Sequence, residues 1–513
     1  MPKKSDIKNV DFKETLWKSA DKLRNKMDAA EYKHIVLGLI FLKYISDKFY
    51  AQRIKTSKLL TNPKSDFFIN DPKNLEKELE DRDYYTKDNV FWVPPKSRWE
   101  KLRAQAKQSN IGSIIDKAMV EIENENKFLR GKLDRRFGKS TLDDAKLGSL
   151  IDLISKIGFS NEDNENDMLG EVYEYFLGKF SAAEGKKGGE YYTPNCVVKT
   201  LVNIISPYEG RIYDPCCGSG GMFIQSQELI KSHGGKVDDV SIYGQESNPT
   251  TWRLAVMNLA IRGFSVDLGK KHGDTFDNDQ FLDLKFDYIL ANPPFNVSDW
   301  DGEKHQNDPK WVYGTPPVGN ANYAWLQHII HKLNSKGKAG IVLASGASSS
   351  KGIEQDIRRK IIEDDLIEIM ISLPSKLFLN SPTTSTMLWI LNKNKNVKGE
   401  TLFIDARPMG KEISRTQVVL EQNEIELITN TTNKWRLRKN YNDIKGFCRS
   451  LSLNNIDKSS WSVSPSRYVG IEEENIESAK VEDLVKDYLK LDEESKELEK
   501  KLNQNIKNIK DFL

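Results

Sequence analysis

From about residue 210 the chain alternates short β-branched runs with amphipathic stretches, and this alternation restricts the fold more than any other feature. RIYD is followed by GMFIQSQELI, SIYGQE, NPTTWRLAVMNLAIRG, FDYILANPPF, ANYAWLQHIIHKL, AGIVLAS, GIEQDIRRKIIE and LIEIMISL. Strand–helix alternation of this kind builds a mostly parallel sheet covered by helices on both faces. The expected class is therefore α/β, with a doubly wound, Rossmann-like sheet. The last two apolar runs, LIEIMISL and TSTMLWILNK, are joined by a short Pro- and Ser-bearing segment with no helix. A connection without a crossover helix lets the last strand run antiparallel. The sheet is expected to end near Lys395.

The flanks have a different pattern. In residues 1 to about 165, apolar residues recur at helical spacing through Leu16, Leu23, Met27, Ile35, Leu39, Leu42, Ile45 and Phe49, as an amphipathic helix requires. Leu59 to Pro95 is polar and rich in Asp, Asn and Pro, which predicts loops and short elements. Helical patterning resumes from Trp99 to Ile122 and from Leu142 to Ile157. At the other end, Val481, Leu484, Tyr488, Leu491, Leu498, Leu502 and Ile509 are spaced by threes and fours in a highly charged segment. This predicts a helix with a coiled-coil-like seam, placed against another protein or folded back on its own domain. The predicted divisions are a helical N-terminal domain at 1–165, a catalytic α/β domain at 166–440 and a C-terminal region with a helical tail at 441–513.

Composition narrows the function classes. A length of 513 residues exceeds a single core, so several domains are expected. The longest apolar run, Ile35 to Ile45, is interrupted by Gly38, Lys43 and Tyr44 and falls short of a membrane span. The N-terminal MPKKSDIKNVDF lacks the apolar stretch of a secretory signal, so a cytoplasmic location is expected. Four cysteines, Cys196, Cys216, Cys217 and Cys448, form neither a disulfide framework nor a CxxC pair, and no metal site is expected. The net charge of +2 permits contact with nucleic acid but implies that another subunit supplies much of the grip. The basic stretches Arg130 to Lys139 and Lys434 to Lys439 can meet phosphates, or can simply be solvated.

The chemistry-bearing residues sit at the predicted strand ends. In IYDPCCGSGGM, a strand ending in Asp214 enters a turn with Gly218, Ser219, Gly220 and Gly221 and then a helix. Such a turn lets backbone approach a ligand closely and sets a helix N-terminus against it. The second strand ends in Glu246, about 30 residues beyond that turn, where a carboxylate can accept hydrogen bonds from both hydroxyls of a ribose. Asn248 and Pro249 follow in the favoured order of helix cap and first turn. Asp274, in GDTF after a predicted third strand, either accepts from an adenine amino group or is an ordinary turn residue.

The most specific feature is Asn292-Pro293-Pro294-Phe295, directly after the strand FDYILA. An exocyclic amine is a poor nucleophile because its lone pair is delocalised into the ring. The Asn292 side-chain oxygen and the Pro293 carbonyl can accept its two hydrogens, and the prolines fix the backbone so that the acceptors converge. The same acceptors stabilise positive charge that develops on nitrogen. Phe295 offers a face for stacking a base, which must be flipped out of the duplex to reach it.

In order along the chain, DPCCGSGGM, YGQESNPTTW, GDTF and ANPPF resemble the motifs of DNA adenine methyltransferases that act on N6. GGEYYTP (Gly188 to Pro194) resembles the segment that precedes the glycine turn in that family, and GNANYAWLQHIIHKL, GKAGIVLASGASSS and SLPSKLFLNSPTTSTMLWILNKNK resemble the later part of the domain. The resemblance is strongest to the modification subunit of Type I restriction-modification systems and spans nearly the whole chain. It implies a methyltransferase sheet with an antiparallel last strand and S-adenosylmethionine as cofactor. It assigns Gly189, Glu190, Tyr191, Tyr192, Thr193 and Pro194 to the cofactor, together with Asp214, Gly218, Ser219, Gly220, Glu246 and Asp274, and assigns Asn292, Pro293, Pro294 and Phe295 to a flipped-out adenine. It further implies double-stranded DNA, a specificity subunit flanked by two modification subunits, and a restriction subunit as partners. Where the family usually has a small residue such as Ala, this chain has Cys216. The acceptor site by itself also suits cytosine N4 or the side-chain amide of a protein glutamine; a non-catalytic scaffold is disfavoured by the intact motifs.

Overall fold

The computed structural model describes residues 4–24, 27–157, 168–183, 193–235, 239–262, 266–378, 383–415, 417–470 and 478–510. The N-terminal part is helical: α1 (Lys4–Arg24), α2 (Ala29–Leu60), α3 (Pro72–Glu78), α4 (Asp83–Thr86), α5 (Trp99–Ala104), α6 (Ile111–Glu125), α7 (Asp144–Ile154) and α8 (Met168–Ala183). Its axis is α2. Every residue from Tyr32 to Ser46 is buried, which marks a central helix surrounded by others rather than one with a wet face. Asp28 caps it by accepting from the Ala30 amide at 2.8 Å. No described helix is long and apolar enough to cross a membrane.

Between Leu60 and Pro95 only the two short helices α3 and α4 form, as the polar composition predicts. The single helical stretch predicted from Trp99 to Ile122 is divided into α5 and α6 by a turn at residues 105–110. Helix α8 joins the helical part to the sheet domain. Phe176 and Phe180 on α8 meet the Trp17 ring of α1 edge-on at 5.3 and 4.7 Å.

The rest of the chain builds one nine-stranded sheet and its covering helices. In chain order these are α9 (Asn195–Ile205), β1 (Gly210–Asp214), α10 (Gly221–Ser232), β2 (Val240–Gly244), α11 (Pro249–Ile261), β3 (Val266–Asp267), β4 (Phe286–Ala291), α12 (Asn322–Lys332), β5 (Leu333–Ala344), α13 (Ile353–Glu363), β6 (Ile367–Ser372), β7 (Thr386–Asn392) and β8 (Glu400–Asp405). A small hairpin β9 (Lys411–Ser414) and β10 (Gln417–Val419), α14 (Gln422–Arg436), β11 (Cys448–Ser452) and α15 (Ser478–Lys510) complete it. The strand order is β11-β8-β6-β7-β5-β4-β1-β2-β3. Strands β1 to β5 run parallel, and β7 lies antiparallel between β5 and β6. Both β6 and β7 are buried along their whole length, as strands covered on both faces must be.

The doubly wound order and the antiparallel TSTMLWILNK strand thus form as expected, but the sheet does not end near Lys395. Strand β8 adds parallel to β6, and β11 adds antiparallel to β8. Each is short, and β11 is separated from β8 by the hairpin and α14, so local patterning gives no sign that the two pair.

Candidate functional site

The parallel strands β1, β2 and β4 end on one side of the sheet, and the crevice beyond them is where open α/β sheets place ligands. Here an open cleft of about 580 Å³ is lined by Leu177, Thr193, Asn195, Val198, Asp214, Cys216, Cys217, Gly218, Ser219, Gly221, Met222, Ile224, Gln225, Asn258 and Asn292.

The glycine turn forms the floor. Gly218 and Gly220 have φ of 55° and 84°, the left-handed region that side chains other than glycine resist. A Cβ on Gly220 would also press on the Leu259 side chain at 3.1 Å, whereas one on Gly221 would meet open space. The Cys217 amide donates to the Gln245 carbonyl at 2.9 Å and the Gln245 amide to the Asp214 carbonyl at 3.0 Å, which locks the turn to the tip of β2.

Two carboxylates lie behind the turn. Asp214 is buried and accepts from the Cys216 amide at 3.0 Å. Burial is the main cause that pushes its pKa up to about 7, with the neighbouring Glu246 adding to the rise. Glu246 is also buried, with its pKa raised by burial against the pull of its backbone donors. Its oxygens accept from the Gly218 amide at 3.1 Å and the Asn248 amide at 2.7 Å. Glu246 therefore ties the glycine turn to the start of α11, where Asn248 caps the helix by accepting from the Thr250 and Thr251 amides.

Asn292 is the first residue after β4. Its Nδ2 donates to Thr193 Oγ1 at 2.9 Å, while its Oδ1 is buried with no partner. Phe295 packs edge-on against Phe378 with centroids 5.6 Å apart. Beyond it Asn296 turns the chain at φ 54°. It is clamped by Asn322 at the start of α12: the Asn296 amide donates to Asn322 Oδ1 at 3.1 Å, and Asn322 Nδ2 donates to Asn296 Oδ1 at 2.8 Å.

The fold thus brings Thr193, Asp214, Gly218, Ser219 and Asn292 around one cleft, with Glu246 directly behind the turn. Pro194 occupies the N-cap position of α9. Asp274 is exposed, and its Oδ1 accepts from the Phe276 and Asp277 amides at 2.8 and 3.1 Å, the bonding of a turn residue. Gly189, Glu190, Tyr191 and Tyr192 lie outside the described residues. Both thiols of the glycine turn have pKa values raised well above the usual range by burial and by the Asp214 and Glu246 charges; low reactivity follows. No group of His, Cys, Asp and Glu among the described residues has the arrangement of a metal site.

Several residues that shape the site carry no motif. Asn258 on α11 donates through Nδ2 to the Ser219 carbonyl at 2.8 Å, with its Oδ1 buried and unpartnered beside the cleft. The buried Gln245 side chain donates to the carbonyls of Gly273, Asp274 and Asn278 and so holds the GDTF turn. The only sequence signal for Asn258 is a polar residue on the apolar face of NPTTWRLAVMNLAIRG. Four arginines of the two basic stretches are engaged within the chain. Arg135 and Arg136 pair with the buried Glu123 and Asp134, Arg436 with the buried Glu368 at 2.7 Å, and Arg438 with Glu400 at 2.5 Å.

The topology, with its antiparallel β7, and an Asn-Pro-Pro-Phe loop beside a glycine-floored cleft define a methyltransferase of amino groups. A family described as N-6 DNA Methylase matches residues 164–477, and one described as HsdM N-terminal domain matches residues 12–154. The Type I restriction enzyme MjaIX methylase subunit of Methanocaldococcus jannaschii is 38% identical over 98% of this chain and 91% of its own length. The HindI methylase subunit of Haemophilus influenzae is 40% identical over 81% of this chain and 99% of its own. The crystal structure of a type I restriction-modification methyltransferase subunit from Streptococcus thermophilus superposes with a TM-score of 0.73 at 25% identity, over 89% of this chain and 98% of that one.

The chain belongs to the N-6 DNA methylase family, within the methylase subunits of Type I restriction enzymes. It is an adenine-specific DNA methyltransferase of a restriction-modification system, and the family implies S-adenosylmethionine as methyl donor.

Proposed function

We propose that the cleft holds S-adenosylmethionine beside a flipped-out adenine, and that the chain works as the modification subunit of a complex whose other subunits choose the DNA site. The observation that carries this reading is the buried, partnerless Oδ1 of Asn292 on the wall of the same cleft that the glycine turn floors. A buried acceptor without a donor is costly, and an amine hydrogen of the target base supplies that donor.

The residues present fit the cofactor. Gly218 and Gly220 hold a turn open to a ligand, and Gly221 leaves space where a side chain would project. The Asn258 Oδ1 is a second unpartnered acceptor, and Asp214 and Glu246 supply acidic groups suited to a ribose and to a cationic ligand. When bound, S-adenosylmethionine supplies an electrophilic methyl carbon. The chain's own contribution is to position and polarise the amine. Asn292 Oδ1 and the Pro293 carbonyl accept its two hydrogens, align the lone pair and stabilise the positive charge that develops on nitrogen. Phe295, braced by Phe378, stacks the extruded base. Asp274 is assigned to the cofactor through Oδ2, the oxygen not used in its own turn.

We assign residues 1–165 to a helical domain, residues from 166 onward to the catalytic domain, which runs past 440 because β11 (Cys448–Ser452) is a strand of its sheet, and α15 to a docking region, in a protein of the cytoplasm. The partners are duplex DNA, a specificity subunit flanked by two copies of this chain, and a restriction subunit. Reconstitution with the specificity subunit, followed by mass spectrometry of digested DNA, tests the reading. N6-methyladenine that depends on added S-adenosylmethionine is the expected product; N4-methylcytosine, or no modified base, overturns it.

A further inference from the structure

The Asn292 amide has two donor hydrogens and one acceptor oxygen, and the proposed chemistry uses only the oxygen. The nitrogen therefore needs an acceptor of its own, or the side chain will turn to find one. Among the described residues that acceptor is the Thr193 hydroxyl, 2.9 Å from Nδ2. Thr193 comes from a distant part of the chain, 99 residues earlier, and both residues line the cleft. The family resemblance assigns Thr193 to the cofactor, but its hydroxyl oxygen is here engaged with the side chain that receives the base.

We propose that Thr193 is a positioning residue for methyl transfer: its hydroxyl accepts from the Asn292 amide nitrogen, which holds the side chain so that the carbonyl oxygen remains free for the target amine. Without that hydroxyl the partly buried N–H loses its acceptor, and the amide gains by rotating toward another acceptor or by presenting N–H to the cleft. In either state it no longer accepts from the amine. The inference rests on Asn292 being the acceptor for that amine.

A double-mutant cycle on the reconstituted methylase separates the possibilities, because aspartate at 292 has no N–H to satisfy. Thr193→Val removes the hydroxyl at nearly constant shape, and Thr193→Ser restores it. In the Asn292 background, Thr193→Val should lower kcat by about 10- to 100-fold, the size expected for a partly buried polar group that loses its partner. S-adenosylmethionine affinity by calorimetry should stay within about threefold, and Thr193→Ser should remain near wild type. In the Asn292→Asp background the same Thr193→Val change should cost less than about threefold. An equal loss in both backgrounds, or a loss that falls on cofactor affinity rather than kcat, overturns the inference. Should Asn292→Asp be inactive, the division of the Thr193→Val effect between kcat and cofactor affinity decides by the same criterion. Thermal melts of each variant identify any loss that comes from unfolding. Asn292→Ala is the control for the underlying reading: if it stays active, the reading fails. If it is inactive while Thr193→Val is unaffected, only the role of Thr193 fails.

Discussion

At Asn292 the proposed catalytic role rests on a single buried oxygen without a partner. Asn292→Ala is expected to cut methyl transfer by about 100- to 1,000-fold, the usual loss for one positioned polar group, while calorimetry shows S-adenosylmethionine binding nearly unchanged. Activity within a few-fold of wild type would remove Asn292 from the chemistry. Glu246→Ala should weaken cofactor binding by roughly 1.5–3 kcal/mol, the worth of hydrogen bonds to a charged group. The two backbone amides that Glu246 accepts predict a second effect: the variant should also melt at a lower temperature without ligand. Unchanged cofactor affinity in equilibrium dialysis would assign Glu246 a structural role only. Asp214 gives a pH test. Its pKa rises from 3.8 to about 7 on folding, so across that window the folded chain holds a proton that the unfolded chain has released. Raising the pH from 5 to 8 therefore favours unfolding through this group. Asp214→Asn keeps the shape and has no proton to lose, so its melting temperature should fall less between pH 5 and pH 8 than that of the wild type. Equal falls would show that Asp214 is already ionised in the fold.

At the scale of elements, the site depends on how strands end and helices begin. β1, β2 and β4 deliver Asp214, Glu246 and Asn292 to one edge of the sheet, and α9, α10 and α11 start there. The start of α11 links stability to function, because Asn248 caps the helix through its side chain and donates its own amide to Glu246. Asn248→Ala should cost about 1 kcal/mol through loss of the cap, seen as a drop of about 1–3 °C in melting temperature. The Asn248 backbone amide survives that change, so cofactor affinity should fall far less than in Glu246→Ala. The predicted single helix from Trp99 to Ile122 breaks at residues 105–110, where the run QAKQSN has few apolar residues to hold a buried face.

At the scale of the whole molecule, α15 exposes the apolar side chains described on it, while the predicted seam positions Val481, Leu484 and Ile509 lie outside the described side chains. Val485, Tyr488, Leu489, Leu491, Leu498 and Leu502 are all more than half exposed, so over these described side chains the helix is not folded back on its own domain. An exposed apolar seam of this length is suited to helices of another protein. In the proposed assembly that partner would supply DNA grip and base reading to a chain whose net charge is close to neutral. Deleting residues 475–513 should leave the catalytic domain folded and still able to bind cofactor, while a pull-down shows weakened assembly with the specificity subunit. The isolated full-length chain should methylate DNA poorly and gain activity when that subunit is added. Efficient site-specific methylation by the chain alone would refute this division of labour.

The amino-acid sequence alone determines the features that are local. The alternation of apolar runs specified a doubly wound sheet, the helix-less link before TSTMLWILNK specified an antiparallel strand, and the composition of DPCCGSGG specified a turn that needs left-handed glycines. Each depends on neighbours within a few residues, so period and residue type are enough. Only the tertiary structure decided what lies opposite what. Strands β8 and β11 join the sheet although a hairpin and α14 lie between them, and Asn258 and Gln245 become supports of the site by reaching backbone carbonyls 39 and 28 to 33 residues away. The basic stretches read more readily as solvated charge than as phosphate contacts; four of their arginines pair with acids, such as Arg436 with Glu368, 68 residues away. Thr193 and Asn292 were both singled out in the sequence, but nothing in either motif relates one to the other. That relation exists because α9 and β4 pack against each other, and a side-chain hydrogen bond is set by distance in space, which sequence spacing does not encode.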